Sequence, residues 1–535
     1  MRKNLLLSLF IIALLIPSAA FGQTVSISAD ERKMAEAITA DQLSNYLFFV
    51  ASDAMGGRDT PSYGLDVTAE FLKMNLSRWG FKPAGDNGSF FQKIALIREP
   101  VDADNAKLTI GANAYAFGTD FLRLSGSGTA SGPIVFGKNG WMVRSKGIDS
   151  FSGVDVKGKI VAITAGTGRG LTARPTGVTD DDIKGVKGVD WADPITNAER
   201  SGAAGVIIIV PPTANWNQYR NFLGRAGLSP EKLRGEQPAI PVVLASPAVG
   251  DVIFAGESGD SSAAAAFVTG KSGALDVAVK RETVWTQNVV ALWEGSDPVL
   301  KNEMVAIGAH YDHVGTNPNA PGEDKIWNGA DDDGSGTVSV LSIAEALAKG
   351  KMRPKRSVLL VWHAGEEKGL WGAEYFNKFP TVNIKNVIAQ LNIDMIGRSR
   401  KAGDTNPRNK DLSDENGVYV IGSEMMSSTL GAITKGTNDA YLKIGYDYKY
   451  DDPKDTNRFF FRSDHFHYAV NGIPIAFWFT GVHEDYHQPG DHPDKIDYQK
   501  MEKIARTIFL TMWELADLKE RPKIDKQLPP ELTRR

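Results

Sequence analysis

The chain has 535 residues, room for about three domains of ordinary size, and its 42% apolar and 23% charged residues describe a globular protein, not a disordered or fibrous one. It contains no cysteine, which excludes disulfides, thiolate metal sites and a cysteine nucleophile. With 60 basic against 64 acidic residues the net charge is −4, a balance that gives no support to a nucleic-acid partner.

Arg2 and Lys3 precede an apolar run, Leu5 to Ile16, and then Pro17 and small residues ending Ala20-Phe21-Gly22. This is the pattern of a cleavable secretory signal over residues 1–22. The run falls short of the roughly 20 residues a spanning helix needs, so no stable membrane insertion is expected. Export without cysteine fits a bacterial periplasm or exterior.

Residues 23–114 form the first part of the main domain, with helical spacing over about 30–50 and Leu65–Trp79, the latter ended by Gly80. Residues 115–275 change character. They are rich in Gly, Val and Ala, and read as a β-rich insertion with strands at Pro133–Phe136, Lys159–Ile163, Gly205–Val210 and Ile240–Leu244. A helix is expected at Thr196–Ala204, and turns over Gly256–Gly273. From 276 to 520, strands at Met304–Ala309, Ser357–Trp362, Val387–Leu391 and Ile473–Phe477 alternate with helices at Thr337–Lys349 and about 499–516. That alternation predicts an α/β fold: a mixed, mostly parallel sheet sandwiched by helices. Residues 521–535, with Pro522, Pro529 and Pro530 among charges, read as an extended tail.

All eight histidines lie at or beyond residue 310, so imidazole chemistry belongs to this last region. Five blocks there carry chemistry: His310-Tyr-Asp312-His313, Asp331-Asp332-Asp333-Gly-Ser-Gly336, His363-Ala-Gly-Glu366-Glu367, Asp394 after Leu391-Asn-Ile, and Asp485-Tyr486-His487. The first four sit where an apolar strand meets a Gly-containing turn, or where such a turn opens a helix. In open α/β sheets that carboxyl edge is where ligands bind. Each block alone has a plainer reading: a surface His–Asp pair, a helix cap, a solvated helix start, a loop histidine. A buried charge at a strand end needs a partner, which singles out Asp394. Several carboxylates on one edge repel unless cations neutralise them. Histidine–carboxylate sets without thiolates suit zinc or a related divalent ion, and two ions sharing one carboxylate would account for the number of acids.

Taken together the blocks resemble metallopeptidase family 28, the co-catalytic dizinc aminopeptidases. The resemblance implies a zinc exopeptidase fold with two Zn²⁺ per chain, other divalent ions being chemically possible. Motif for motif, it implies His310 and Asp394 on one zinc, Asp332 bridging, and Glu367 and His487 on the other. It makes Glu366 the general base and Tyr486 a hydrogen-bond donor to the oxyanion. Asp312 and Asp464 would orient those groups, His465 and His467 would pack around them, and His313 and His363 would neighbour the pocket. It also implies a cis bond between Asp332 and Asp333. Ala51-Ser-Asp-Ala-Met-Gly-Gly-Arg58 is similar to the amino-terminal portion of bacterial members. Asp155-Val-Lys-Gly-Lys-Ile-Val161 and Ser201-Gly-Ala-Ala-Gly-Val-Ile207 make residues 133–247 resemble a protease-associated domain, a surface for a protein contact.

The activity so implied is removal of amino-terminal residues from peptide substrates. One alternative is a carboxypeptidase of the same fold, with Arg398, Arg458 or Arg462 holding the substrate carboxylate. Another is a non-catalytic, receptor-like binding protein, against which the full ligand set argues. Phe459–Phe461 and Phe477–Phe479 are aromatic runs that suit either a pocket wall or the core.

Overall fold

The computed structural model describes residues 25–165, 171–223 and 227–533; the export signal read over residues 1–22 lies outside them. The chain divides into two compact units, one of residues 1–94 and 286–535, the other Ala95–Trp285. The second unit is wider than the 115–275 expected, because Lys107–Ile110 and Asn113–Tyr115 pair into its sheet ahead of the change in composition.

The first unit is built on a sheet of β1 (Phe91–Arg98), β2 (Glu282–Trp293), β3 (Met304–His310), β4 (Ser357–His363), β5 (Val387–Ile393), β6 (Gly417–Ile421), β7 (Gly445–Asp447) and β8 (Ile475–Phe479). Their spatial order is β1-β2-β4-β3-β5-β8-β6-β7. The central run β4-β3-β5-β8 is parallel, while β2 and β6 flank it antiparallel. Every residue of β3, β4 and β5 is buried, as in strands covered on both faces. Their side chains alternate accordingly. Val305, Ile307 and Ala309 join one apolar cluster, while Met304 and Ala306 join another.

The helices are α1 (Ala29–Ala35), α2 (Ala40–Val50), α3 (Tyr63–Arg78), α4 (Gly336–Lys349), α5 (Trp371–Lys378), α6 (Ser428–Ala440), α7 (His465–Val470) and α8 (Tyr498–Asp517). Leu47 of α2, Leu72 of α3, Leu341 of α4, Leu430 of α6 and Ile508 of α8 pack into the first cluster, and Phe376 of α5 and Tyr468 of α7 into the second. The stretch expected as one helix over 30–50 is two, because Thr39 and Gln42 form a capping box that starts a new helix. No helix among the described residues is long and apolar enough to cross a membrane.

The second unit has an eight-stranded sheet in which Gly205–Ile209 runs parallel to both Ile160–Thr164 and Val242–Ala245. Two expectations are corrected here. The helix runs Pro194–Arg200, not Thr196–Ala204: Asp193 caps it from below with Pro194 at its first position, and Gly202 turns left-handed just beyond. Gly256–Gly273 is not all turn, since a strand covers Phe267–Val277, pairing with Gly128–Phe136 despite its small residues.

Candidate metal centre

The carboxyl edge of the parallel strands gathers the chemistry-bearing residues. His310 ends β3, Glu366 and Glu367 follow β4, and Asp394 follows β5 directly. Asp332 lies in the turn that opens α4, and Tyr486 and His487 lie in the loop after β8. On these buried strands the ionisable groups sit at or just beyond the ends, and here four ends converge.

Asp332 stands between two histidines. Its Oδ1 is 3.2 Å from His310 Nε2 and its Oδ2 is 3.1 Å from His487 Nε2. His310 Nε2 is 3.6 Å from Asp394 Oδ2 and 3.9 Å from Glu366 Oε2. His487 Nε2 is 3.0 Å from Glu367 Oε2. Two donor groups therefore share one carboxylate. Two further residues bring ligand atoms close: His310, Asp333 and Asp394 form one set within 4.8 Å, and His313, Asp332 and Glu367 another. His313, read from the sequence as a neighbour of the pocket, has its Nδ1 2.8 Å from Glu367 Oε1. Asp333 is committed elsewhere through Oδ1, which accepts from Gly336 N at 2.8 Å and Met395 N at 3.2 Å. The Asp332–Asp333 peptide is cis.

These short separations lack hydrogen-bond geometry. His310 Nε2, Asp332 Oδ2, Glu367 Oε1 and His487 Nε2 are buried without a hydrogen-bond partner among the described residues. Buried polar atoms left so are costly unless something else satisfies them. Nitrogen and carboxylate oxygen atoms converging in two sets suit divalent cations. The charges agree. Burial, reinforced by Glu367 and Asp394, pushes the Glu366 carboxyl well above its ordinary range despite His310. Burial opposes a charge on His310, but Asp394 and Glu366 outweigh it and hold the imidazolium well above the usual value. His487 is pushed up to about 10 by Asp332 and Glu367 in the same way, against its burial. Both imidazoles are drawn toward positive charge because the surrounding carboxylates call for cations.

The surrounding residues fix these groups. Asp312 Oδ1 accepts from Glu366 N at 3.1 Å and lies 3.6 Å from His310 Nδ1, while its Oδ2 accepts from Thr60 Oγ1 at 3.0 Å. Asp464 Oδ2 is 3.3 Å from His363 Nδ1, and His363 Nε2 meets the Tyr468 hydroxyl at 3.1 Å. His465 stacks on Phe477 with ring centroids 4.5 Å apart, and burial lowers its pKa to about 3, so it packs as a neutral ring. Two residues were given no role from the sequence. Arg58, fully buried, donates to the carbonyls of Val50, Tyr311, Asn328 and Gly329. Asp491 accepts from the main-chain N–H of Asp331 and of Asp332. The only sequence signal for Arg58 is its place at the end of the Ala51–Arg58 motif, and for Asp491 its place four residues beyond His487.

A cavity of about 20 Å³ opens on Asp332, Glu366 and Asp394, with Phe459, Phe477 and Phe479 as apolar wall. Phe460, Phe461 and Trp478 are core residues. Tyr486 also lines the cavity; its ring stacks on His487 at 4.0 Å and its hydroxyl accepts from Arg462 Nη2 at 3.1 Å. Of the other arginines considered, Arg398 pairs with Asp485 at 2.9 Å, and Arg458 is exposed with its guanidinium over Phe461. A roomier cavity of about 690 Å³ in the second unit is lined by Glu99 and by Arg123 and Arg234, each of which pairs with Glu99.

The fold and this edge define an α/β protein with a histidine–carboxylate metal-binding centre. Residues 288–512 match the model of "Peptidase family M28" and residues 130–253 that of the "PA domain". Residues 288–512 are therefore an M28 peptidase segment, and the PA-domain match falls within the second unit. A "Probable leucine aminopeptidase" of Arthroderma otae is 29% identical over 229 residues, covering 41% of this chain and 56% of that protein. A "Probable zinc metalloprotease" of Phaeosphaeria nodorum is 28% identical over 270 residues, covering 44% and 53%. The chain thus spans about half the length of the relatives it matches. Among solved structures, "Aminopeptidase from Aneurinibacillus sp. strain AM-1" is similar with a TM-score of 0.49 and 18% identity, covering 94% of this chain and 98% of that one.

Proposed function

We propose that this protein is an exported dizinc aminopeptidase that removes amino-terminal residues from peptides. The observation that carries the reading is Asp332, its two carboxylate oxygens placed 3.2 Å and 3.1 Å from the imidazoles of two separate donor groups, with Glu366 beside them. His310, Asp332 and Asp394 would hold one ion; Asp332, Glu367 and His487 would hold the other. Bound divalent ions supply Lewis-acid polarisation of the scissile carbonyl and a water acidic enough to attack near neutral pH. The export reading rests on residues 1–22 of the sequence.

Glu366 is the general base. Its carboxyl lies 3.9 Å from His310 Nε2 and lines the cavity, placed to take a proton from the attacking water and pass it to the leaving amine. Asp312 sets its position through the Glu366 N–H. The Tyr486 hydroxyl accepts from Arg462, which leaves its own proton free to stabilise the oxygen that becomes negative. The carboxylates around the cavity suit a substrate ammonium, and Phe459, Phe477 and Phe479 suit an apolar side chain. The names of the relatives point the same way. Arg462 at the cavity keeps a carboxypeptidase as the second reading, since a guanidinium there could meet a substrate carboxylate.

Glu366→Gln tests the assignment. It is expected to lower kcat by about 10²- to 10⁴-fold with metal content unchanged. Turnover at the normal rate removes Glu366 from the mechanism.

A further inference from the structure

The segment from Gly315 to Trp327 stands beside the proposed ligands and supplies none of them. Its ends are closed by the Thr316–Ile326 bridge and by Trp327 N donating to Gly315 O at 3.0 Å. Gly315 N in turn donates to Gly57 O at 3.0 Å. A Cβ on Gly57, which has φ 66°, would lie 2.4 Å from the carbonyl oxygens of both Gly315 and Trp327. Only glycine permits this close backbone approach. From that base the segment reaches the His487 loop at two points. The Trp327 indole Nε1–H donates to the His487 carbonyl at 3.0 Å, and His492 Nε2 meets Asp324 Oδ2 at 3.0 Å.

His487 needs such support more than the other ligands. Its side chain is 36% exposed, against 1% for His310 and 4% for Asp332. It also sits in a loop, with φ 52°, in the left-handed region that an L-residue leaves unless its surroundings hold it there. A hydrogen bond to its carbonyl fixes the peptide plane and thereby the direction of the imidazole.

We propose that Trp327 is a positioning residue for His487: its indole N–H pins the His487 carbonyl and so keeps Nε2 on the Glu367–Asp332 donor group. The inference rests on the reading of His487 as a metal ligand. Trp327 acts on the metal only through His487, as an outer residue that orients a ligand.

The test counts metal, not turnover. Full-length wild type, Trp327→Phe and His487→Ala are loaded with zinc and dialysed against increasing dipicolinate. Zinc per chain is then measured by plasma mass spectrometry, with melting followed by circular dichroism. Wild type is expected to hold two ions. Trp327→Phe keeps an aromatic ring and loses the donor; it is expected to release one ion at about 10-fold lower chelator, as is His487→Ala, while the second ion leaves where the wild type's does. Release of both ions at wild-type concentrations overturns the proposal. Early release of both ions together with a lower melting temperature also overturns it, since that marks a general structural role. If Trp327→Phe does not fold, Asp324→Ala decides: it cuts the other tether at an exposed residue and is expected to show the same single early loss, with wild-type release counting against the proposal. A wild type that holds no zinc instead overturns the metal reading itself, before any variant is compared.

Discussion

Arg58 shows how a single buried residue holds the centre together. Its guanidinium donates to Val50 O at 2.6 Å, Asn328 O and Gly329 O at 2.7 Å, and Tyr311 O at 3.0 Å. It thereby ties the end of β3 and the residues after it, which carry His310 and Asp312, to the turn that carries Asp332. Burial pulls its pKa down, and Asp312, Asp491, Asp333 and Asp332 counter that. Arg58→Met would leave four buried carbonyls without this donor and the acidic cluster without its cation. We expect a loss of about 3–5 kcal/mol in chemical denaturation; a loss below about 1 kcal/mol contradicts the role. The sequence shows Gly-Gly-Arg58 as a motif but not this task, because three of the four acceptors lie more than 250 residues away. The proposed ligands are legible in the sequence for the opposite reason: His310, Asp332, Glu367 and Asp394 each fall in a short local pattern beside the end of a buried strand or the start of a helix.

At the scale of the element, α8 carries a predictable liability. Its last turn holds Glu514 and Asp517 and no basic residue, so acids face the negative end of the helix. Burial, with Glu31 and Asp517 nearby, raises the Glu514 carboxyl to about 7 from an ordinary 4.5. A carboxyl raised in the folded state favours the fold below pH 4.5, and that contribution is lost as pH rises through 7. Glu514→Gln should therefore be more stable than wild type at pH 8, by roughly 1 kcal/mol after allowance for solvent screening, and match wild type at pH 4. A difference at pH 4 as large as at pH 8 would contradict this. Element boundaries were legible where a local signal marks them, as Gly80 does just after α3 with φ 81°. They were missed where pairing overrides composition. Phe267–Val277 is small and glycine-containing, yet it forms a strand because Gly128–Phe136 and Lys107–Ile110 hold it from both sides.

Across the whole molecule, bound metal would serve both stability and chemistry. Asp332, Glu366, Glu367 and Asp394 are four carboxylates around two histidines, and cations relieve their repulsion in the folded state alone. Chelation should lower Tm by about 5 °C or more, and zinc should restore it; an unchanged Tm on verified metal loss contradicts this. The change in composition near residue 115 announced the inserted unit, but its start at Ala95 was hidden because the first strands to join it precede that change. The proposed activity turns on which end of a peptide the centre attacks. The most direct measurement is product mass spectrometry on one peptide offered with a free and with an acetylated amino terminus. An aminopeptidase gives a ladder shortened from the amino end for the free peptide and no product from the acetylated one. Shortening from the carboxyl end, or equal cleavage of both peptides, would contradict it.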